Sequence, residues 1–171
     1  MMVLLNLIYL SPKVKILAMA NTYTQLFIQI VFSVKGRQSL IPKQHQETMH
    51  KYMTTVIQND KHKLLSIFCM PDHTHILVGL NPDISISEMV QDVKRASTNF
   101  INDHHLINSH FNWQKGFGAF SYSKKQVPNV IKYILEQEEH HKKKTFRQEY
   151  HEFLELFGIE YDEKYLFEFY D

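Results

Sequence analysis

Two short patterns in the chain offer chemistry. In His73-Thr74-His75, an extended backbone would turn both imidazoles to one side and Thr74 to the other, because side chains two apart on a strand share a face. That gives either a two-toothed start for a metal site or two surface histidines at the head of a strand. Tyr133 and Gln137 are four apart, so on a helix a phenol stands one turn from an amide. A core tyrosine capped by a hydrogen bond has the same pattern. His140 and His141 continue near that face. With 11 histidines and 9 tyrosines in 171 residues, neither pattern is specific by itself.

These residues need elements to position them. Residues 23–34 (YTQLFIQIVFSV) are β-branched and aromatic and run into Lys35-Gly36-Arg37, which predicts a strand and a turn. Pro42 opens a helix to about Asn59, with Met49, Tyr52, Met53, Val56 and Ile57 at helical spacing. Residues 64–70 and 74–80 are two short apolar runs around Pro71-Asp72: two strands joined by a tight turn, or one strand kinked there. Ser85 or Ser87 caps a helix with Met89, Val90, Val93, Ala96, Phe100 and Ile101 on one face and Lys94 and Arg95 on the other. Residues 111–123 mix aromatics with two glycines, as a strand or β-loop does where another backbone or a ligand approaches; Phe117 and Phe120 read as core. Pro128 begins a helix through about His141. Phe153, Leu154 and Phe157 belong to a last helix closed by Gly158, followed by an extended arm. This order predicts one α+β domain with a mostly antiparallel sheet and packed helices.

Bulk properties narrow the class. The length suits one substantial core. The lone Cys69 cannot form an internal disulfide, which fits a reducing, cytoplasmic setting. Residues 1–18 are apolar but interrupted by Asn6, Ser11, Pro12 and two lysines, short of the roughly 20 apolar residues that cross a bilayer. They read as an extension or a misplaced start ahead of Met19, with residues 19–171 as the domain. Residues 1–148 hold 18 Lys/Arg against 10 Asp/Glu, whereas 149–171 hold 1 against 8. A basic body suits a polyanion, and an acidic tail 149–171 serves solubility or covers the basic surface. The cations available to phosphates are Lys35, Arg37, Lys94, Arg95, Lys124, Lys125, Lys142, Lys143, Lys144 and Arg147; for each, a solvated face is the commoner role.

Read in order, the blocks YTQLFIQIVFSVKGRQSLI, MPDHTHILVGL, ISEMVQDVKRAS, FNWQKGFGAFSYS, YILEQEEHHKKKTFRQEY and GIEYDEKYLFE resemble the single-tyrosine HUH transposases of small insertion sequences and their repeat-associated relatives. HUH denotes His, hydrophobic residue, His. The resemblance covers nearly all of residues 19–170. It implies a ferredoxin/RRM-like HUH endonuclease fold, His73, His75 and Gln137 as ligands of Mg²⁺ or Mn²⁺, and Tyr133 as the nucleophile. It also implies cleavage and rejoining of single-stranded or hairpin DNA through a 5′-phosphotyrosine, and a homodimer in which the tyrosine helix faces the partner's HUH site. Thr74 stands where a larger apolar residue is usual, a difference expected to touch packing rather than chemistry. Two neutral imidazoles and an amide oxygen form an uncharged ligand set, so modest metal affinity is expected. Two other classes compete: a non-catalytic nucleic-acid-binding module on the same fold, and a metal-independent phosphoesterase. The chain carries no pair of the His-x-Ser/Thr motifs the latter needs.

Overall fold

In the computed structural model, residues 23–36 and 40–170 are described; Arg37 and the extension 1–18 lie outside them. Strand β1 (Phe27–Ser33) leads to helix α1 (Lys43–Asn59), strands β2 (Lys63–Cys69) and β3 (His73–Gly79), helix α2 (Ile86–Asp103) and strand β4 (Gly118–Tyr122). Helices α3 (Val127–Leu135), α4 (Gln137–His140) and α5 (Phe146–Leu156) follow. The four strands form one antiparallel sheet in the order β2-β3-β1-β4. This is the expected ferredoxin-like α+β arrangement, with α1 and α2 as the two crossovers and α3–α5 added after it.

Local chemistry accounts for the element ends. Ser85 accepts from the Glu88 N–H while the Glu88 carboxylate accepts from the Ser85 N–H, a capping box that starts α2 and satisfies two otherwise unpaired donors. Thr145 and Gln148 do the same for α5. Gly158, at φ +62°, closes α5 as expected, and the Ile159 N–H reaches back to the Leu154 carbonyl at 2.8 Å. The Pro71-Asp72 turn does separate two strands. Residues 111–117 are not strand; only Trp113 bridges to Val34 before β4 begins.

Strand alternation sorts the layers. On β3, Ile76 and Val78 enter the core that contains Met49 and Met53 of α1 and Met89 of α2. On the opposite parity Leu77 packs with Val130 and Ile134 of α3. His73 and His75 share that parity, so the sheet turns them toward the C-terminal helices rather than toward α1 and α2. Phe120 of β4 stacks on Phe153 of α5, ring centres 4.9 Å apart. Segment 149–170 is therefore not an appendage: α5 is a packed layer, and beyond it Gln114 bonds to the backbone N–H and C=O of Glu168. None of the helices among the described residues is long and apolar enough to cross a membrane.

The approach of α5 to the sheet depends on Gly118. A Cβ there would lie 2.9 Å from ring carbons of both Tyr150 and Phe120, and all three groups are enclosed. Gly118→Ala is expected to cost about 1–3 kcal/mol by overpacking, read as a lower urea midpoint; an unchanged midpoint would show that α5 is not held this close.

Candidate metal and tyrosine site

His73 and His75 stand at the head of the central strand β3, almost fully buried at 1% and 0% exposure. The His73 ring lies flat on Phe146 of α5, with ring centres 4.0 Å apart. Two groups from farther along the chain join them. His141 follows α4, and Glu149 projects from α5 into the same space at 2% exposure. One donor atom from each of His73, His75, His141 and Glu149 lies within 4.8 Å of the others. Glu149 Oε2 is 3.2 Å from His75 Nε2, 3.4 Å from His141 Nε2 and 3.8 Å from His73 Nε2.

The far side of each ring shows which nitrogen is free to ligate. His73 Nδ1 is 2.7 Å from Asp72 Oδ1 and His141 Nδ1 is 2.9 Å from the Lys144 carbonyl. Both partners are pure acceptors, so these Nδ1 atoms carry a proton, and in the neutral ring the lone pair is on Nε2. Neither Nε2 makes a hydrogen bond, although both are buried. A third buried atom without a hydrogen bond is Gln137 Oε1. Buried polar atoms are nearly always paired, and two lone-pair nitrogens and an amide oxygen converging beside a carboxylate are what a divalent cation satisfies.

Tyr133 and Gln137 reach the other oxygen of the same carboxylate. The Tyr133 hydroxyl donates to Glu149 Oε1, and Gln137 Nε2 donates to it at 3.1 Å. The expected continuous helix from Pro128 to His141 is broken at Glu136, whose φ of −95° and ψ of 17° leave the helical region. The break turns Gln137 inward to full burial, with its amide also 3.4 Å from the Tyr133 carbonyl. Tyr133 and both HUH histidines thus meet inside one chain.

Electrostatics follow from this crowding. Burial lowers the pKa of His73, only partly opposed by Asp72, so its imidazole is neutral and available as a ligand. For His141 burial also disfavours the cation, but the Glu149 carboxylate outweighs it and the pKa rises. Burial would raise Glu149, yet His75, His141 and His73 together hold it well below the usual carboxylate range. Burial first, and then the charge of Glu149, drive the Tyr133 phenol upward. A bare Glu149 therefore keeps Tyr133 protonated.

Outside this centre, a cleft of about 430 Å³ opens beside Tyr133, lined among others by Gln29, Tyr122, Gln126, Asn129 and Phe153. The basic candidates divide. Lys35, Lys124, Lys125 and Lys143 are exposed and have no described ion pair. Lys142 is paired with Glu139 at 2.5 Å, Arg95 with Asp92 at 2.5 Å, and Lys144 with Glu152. Arg147 lies over the Phe169 ring. Lys94 differs most from expectation: its ammonium bonds the carbonyls of Gln114, at 2.9 Å, and of Gly116, and burial lowers its pKa to about 8.

Sequence reasoning missed Glu149, which read as one acid in an acidic tail, and gave His141 no role. The clue was its setting: an acid flanked by Phe146, Tyr150 and Phe153 at helical spacing lies on the apolar face of α5, where an unpaired carboxylate is rare. A buried carboxylate thus stands beside the uncharged set that the resemblance implies.

A ferredoxin-like sheet that presents a His-x-His pair from its central strand to a tyrosine on a later helix defines the HUH class of nucleic-acid enzymes. The sequence profile of the family described as "Transposase IS200 like" matches residues 22–137, and the chain belongs to this family of DNA-processing transposases. Among solved structures, a protein assigned as a transposase from Deinococcus radiodurans aligns with a TM-score of 0.54 at 18% identity, over 68% of this chain and 94% of that one. A REP-associated tyrosine transposase bound to a REP hairpin aligns with a TM-score of 0.54 at 15% identity, over 70% of this chain and 71% of that one. At these identities the likeness shows the fold. The comparison with curated proteins finds no match.

Because Lys94 ties down the 114–116 segment, Lys94→Ala is expected to lower stability by about 0.5–1.5 kcal/mol, the net worth of the hydrogen bonds it removes. Affinity for single-stranded DNA, measured by fluorescence anisotropy, should stay within about twofold, since a cation spent on carbonyls has none to offer a phosphate. A large loss of affinity with unchanged stability would return Lys94 to the set of DNA contacts.

Proposed function

We propose that this chain is a metal-dependent single-stranded DNA endonuclease and strand transferase in which Tyr133 is the nucleophile and His73, His75 and Gln137 serve the metal. The observation that carries the reading is the meeting of the Tyr133 hydroxyl and the two HUH imidazoles on the two oxygens of one buried carboxylate. The DNA is single-stranded or hairpin-forming, a reading supported by the structural neighbour that is bound to a REP hairpin. The enzyme acts in the cytoplasm and as a homodimer.

The Tyr133 oxygen attacks the scissile phosphorus, forms a 5′-phosphotyrosine as its proton departs, and releases the upstream strand as a free 3′-OH. Phosphate–tyrosine exchange conserves the bond type, so a second 3′-OH can attack the linkage, restore Tyr133 and join new strands. Glu149 Oε1 orients the phenol. A carboxylate held so far below its usual pKa is a weak base, so its contribution is positioning. Bound Mg²⁺ or Mn²⁺ would supply positive charge to the non-bridging oxygens and reduce the repulsion between Glu149 and a forming phenolate. Lys124 and Lys125 just before α3, and Lys143 just after α4, leave exposed cations on both sides of the tyrosine segment for the phosphate backbone. The cleft beside Tyr133 offers the half-buried Tyr122 ring to an unstacked base.

Incubation with hairpin-forming single-stranded DNA and Mn²⁺ should yield a covalent adduct on Tyr133 by mass spectrometry, absent with EDTA and in Tyr133→Phe. DNA processing that persists unchanged in Tyr133→Phe would sink the reading in favour of a non-catalytic binding module or another nucleophile. His73→Ala and His75→Ala should lose at least about 100-fold in cleavage, as removal of transition-state charge stabilisation does, while keeping most DNA affinity, because phosphate contacts by Lys and Arg dominate binding.

A further inference from the structure

We propose that the metal centre of this chain is a three-histidine, one-carboxylate site, completed by His141 and Glu149, that selects a first-row transition ion such as Mn²⁺ or Zn²⁺ over Mg²⁺. It rests on the reading of the HUH pair as a metal site and goes beyond it in naming two ligands and the class of ion. The family match ends at residue 137, so neither His141 nor Glu149 lies within the matched residues.

Spacing supports the ligand set. Metal–nitrogen bonds of roughly 2.0–2.1 Å place tetrahedral donors about 3.3 Å apart, and Glu149 Oε2 stands 3.2 to 3.8 Å from the three Nε2 atoms. All four donors lie within 4.8 Å of one another, so binding one ion draws the imidazoles together by up to about 1.5 Å. The imidazoles are also held from behind, His73 by Asp72 and His141 by the Lys144 carbonyl, the outer contacts that fix ring orientation in histidine metal sites. His75 is the variable one. Gln29 donates to its Nδ1 at 3.0 Å while accepting from the Tyr122 hydroxyl at 2.9 Å. Turning the Gln29 amide over makes its oxygen the acceptor for a protonated Nδ1 and its nitrogen the donor to Tyr122, with heavy atoms in place. His75 Nε2 then also presents a lone pair.

Donor chemistry decides the ion. Mg²⁺ prefers oxygen ligands and retains several waters, whereas His73, His75 and Glu149 are almost fully buried and three of the four donors are imidazole nitrogens. Imidazole favours zinc, copper, iron and nickel, and affinity rises along the first row from Mn²⁺. One carboxylate adds the charge that an all-neutral set lacks. Gln137 Oε1, buried and without a hydrogen bond, remains as a fifth donor for an ion of higher coordination number.

The test is a metal titration of the metal-free full-length protein against a chromophoric competitor, with no DNA present. Zn²⁺ and Mn²⁺ should bind on the order of 100-fold more tightly than Mg²⁺. His141→Ala and Glu149→Gln should each weaken Mn²⁺ binding by about tenfold or more, and Lys51→Ala, in an exposed pair with Glu47, should leave it unchanged. Co²⁺ loaded in place of Mn²⁺ should give a visible absorption band that changes in His141→Ala. Equal affinity for Mg²⁺ and Mn²⁺, or Mn²⁺ affinity unaffected by both substitutions while His73→Ala abolishes it, would overturn the proposal. Circular dichroism checks folding, and His141→Gln and Glu149→Asp replace any variant that does not fold. Because these titrations contain no DNA, they separate the ligand set from the cleavage reading, which stands or falls on the Tyr133 adduct.

Discussion

Glu149 is a carboxylate buried among three imidazoles, a phenol and an amide, and its two oxygens divide the site between them. One faces His73, His75 and His141, and the other takes hydrogen bonds from Tyr133 and Gln137. An isolated charge in such surroundings would cost several kcal/mol in lost hydration, so the group persists only because the fold surrounds it with partners. That requirement reaches outward. Helix α5 must sit close to β4, which is why position 118 has no side chain, and α3 must break at Glu136 so that Gln137 can turn in.

The same constraint links structure to reactivity. Burial and then the charge of Glu149, held ionised by three neighbours, raise the Tyr133 pKa, so the phenol stays neutral until positive charge arrives nearby. A cation on the histidine side would change the phenol through a carboxylate they share. In the proposed function, metal binding and nucleophile readiness would thereby be coupled across one side chain rather than built as separate devices. The layered fold makes this work: the sheet provides rigid placement for His73 and His75, and the C-terminal helices bring the rest.

Much of the fold was legible in the sequence because it rests on local signals. Alternation in residues 27–33, the Pro71-Asp72 turn, the Ser85 cap and Gly158 each act within a few residues, and the elements they predict are present. The shorter β4 and the broken α3–α4 helix were not legible, since both are set by distant partners: Lys94 holds 114–116 through its ammonium, and Gln137 turns toward a carboxylate twelve positions on. Charge was the least reliable guide. Lys94 and Arg95 read as a basic face, yet one is half-buried with its ammonium bonded to carbonyls and the other is paired with Asp92.

By itself the sequence determined the antiparallel α+β class and the shared face of His73 and His75, because strand periodicity fixes which side chains lie together within one element; Tyr133 and Gln137, though four apart, fall in separate helices. Only the tertiary structure decided that the two pairs meet within one chain, and that His141 and Glu149 stand between them. Those residues come from a loop and a helix that share no periodicity with β3. Which elements converge is settled by how apolar faces pack, and no spacing along the chain records that.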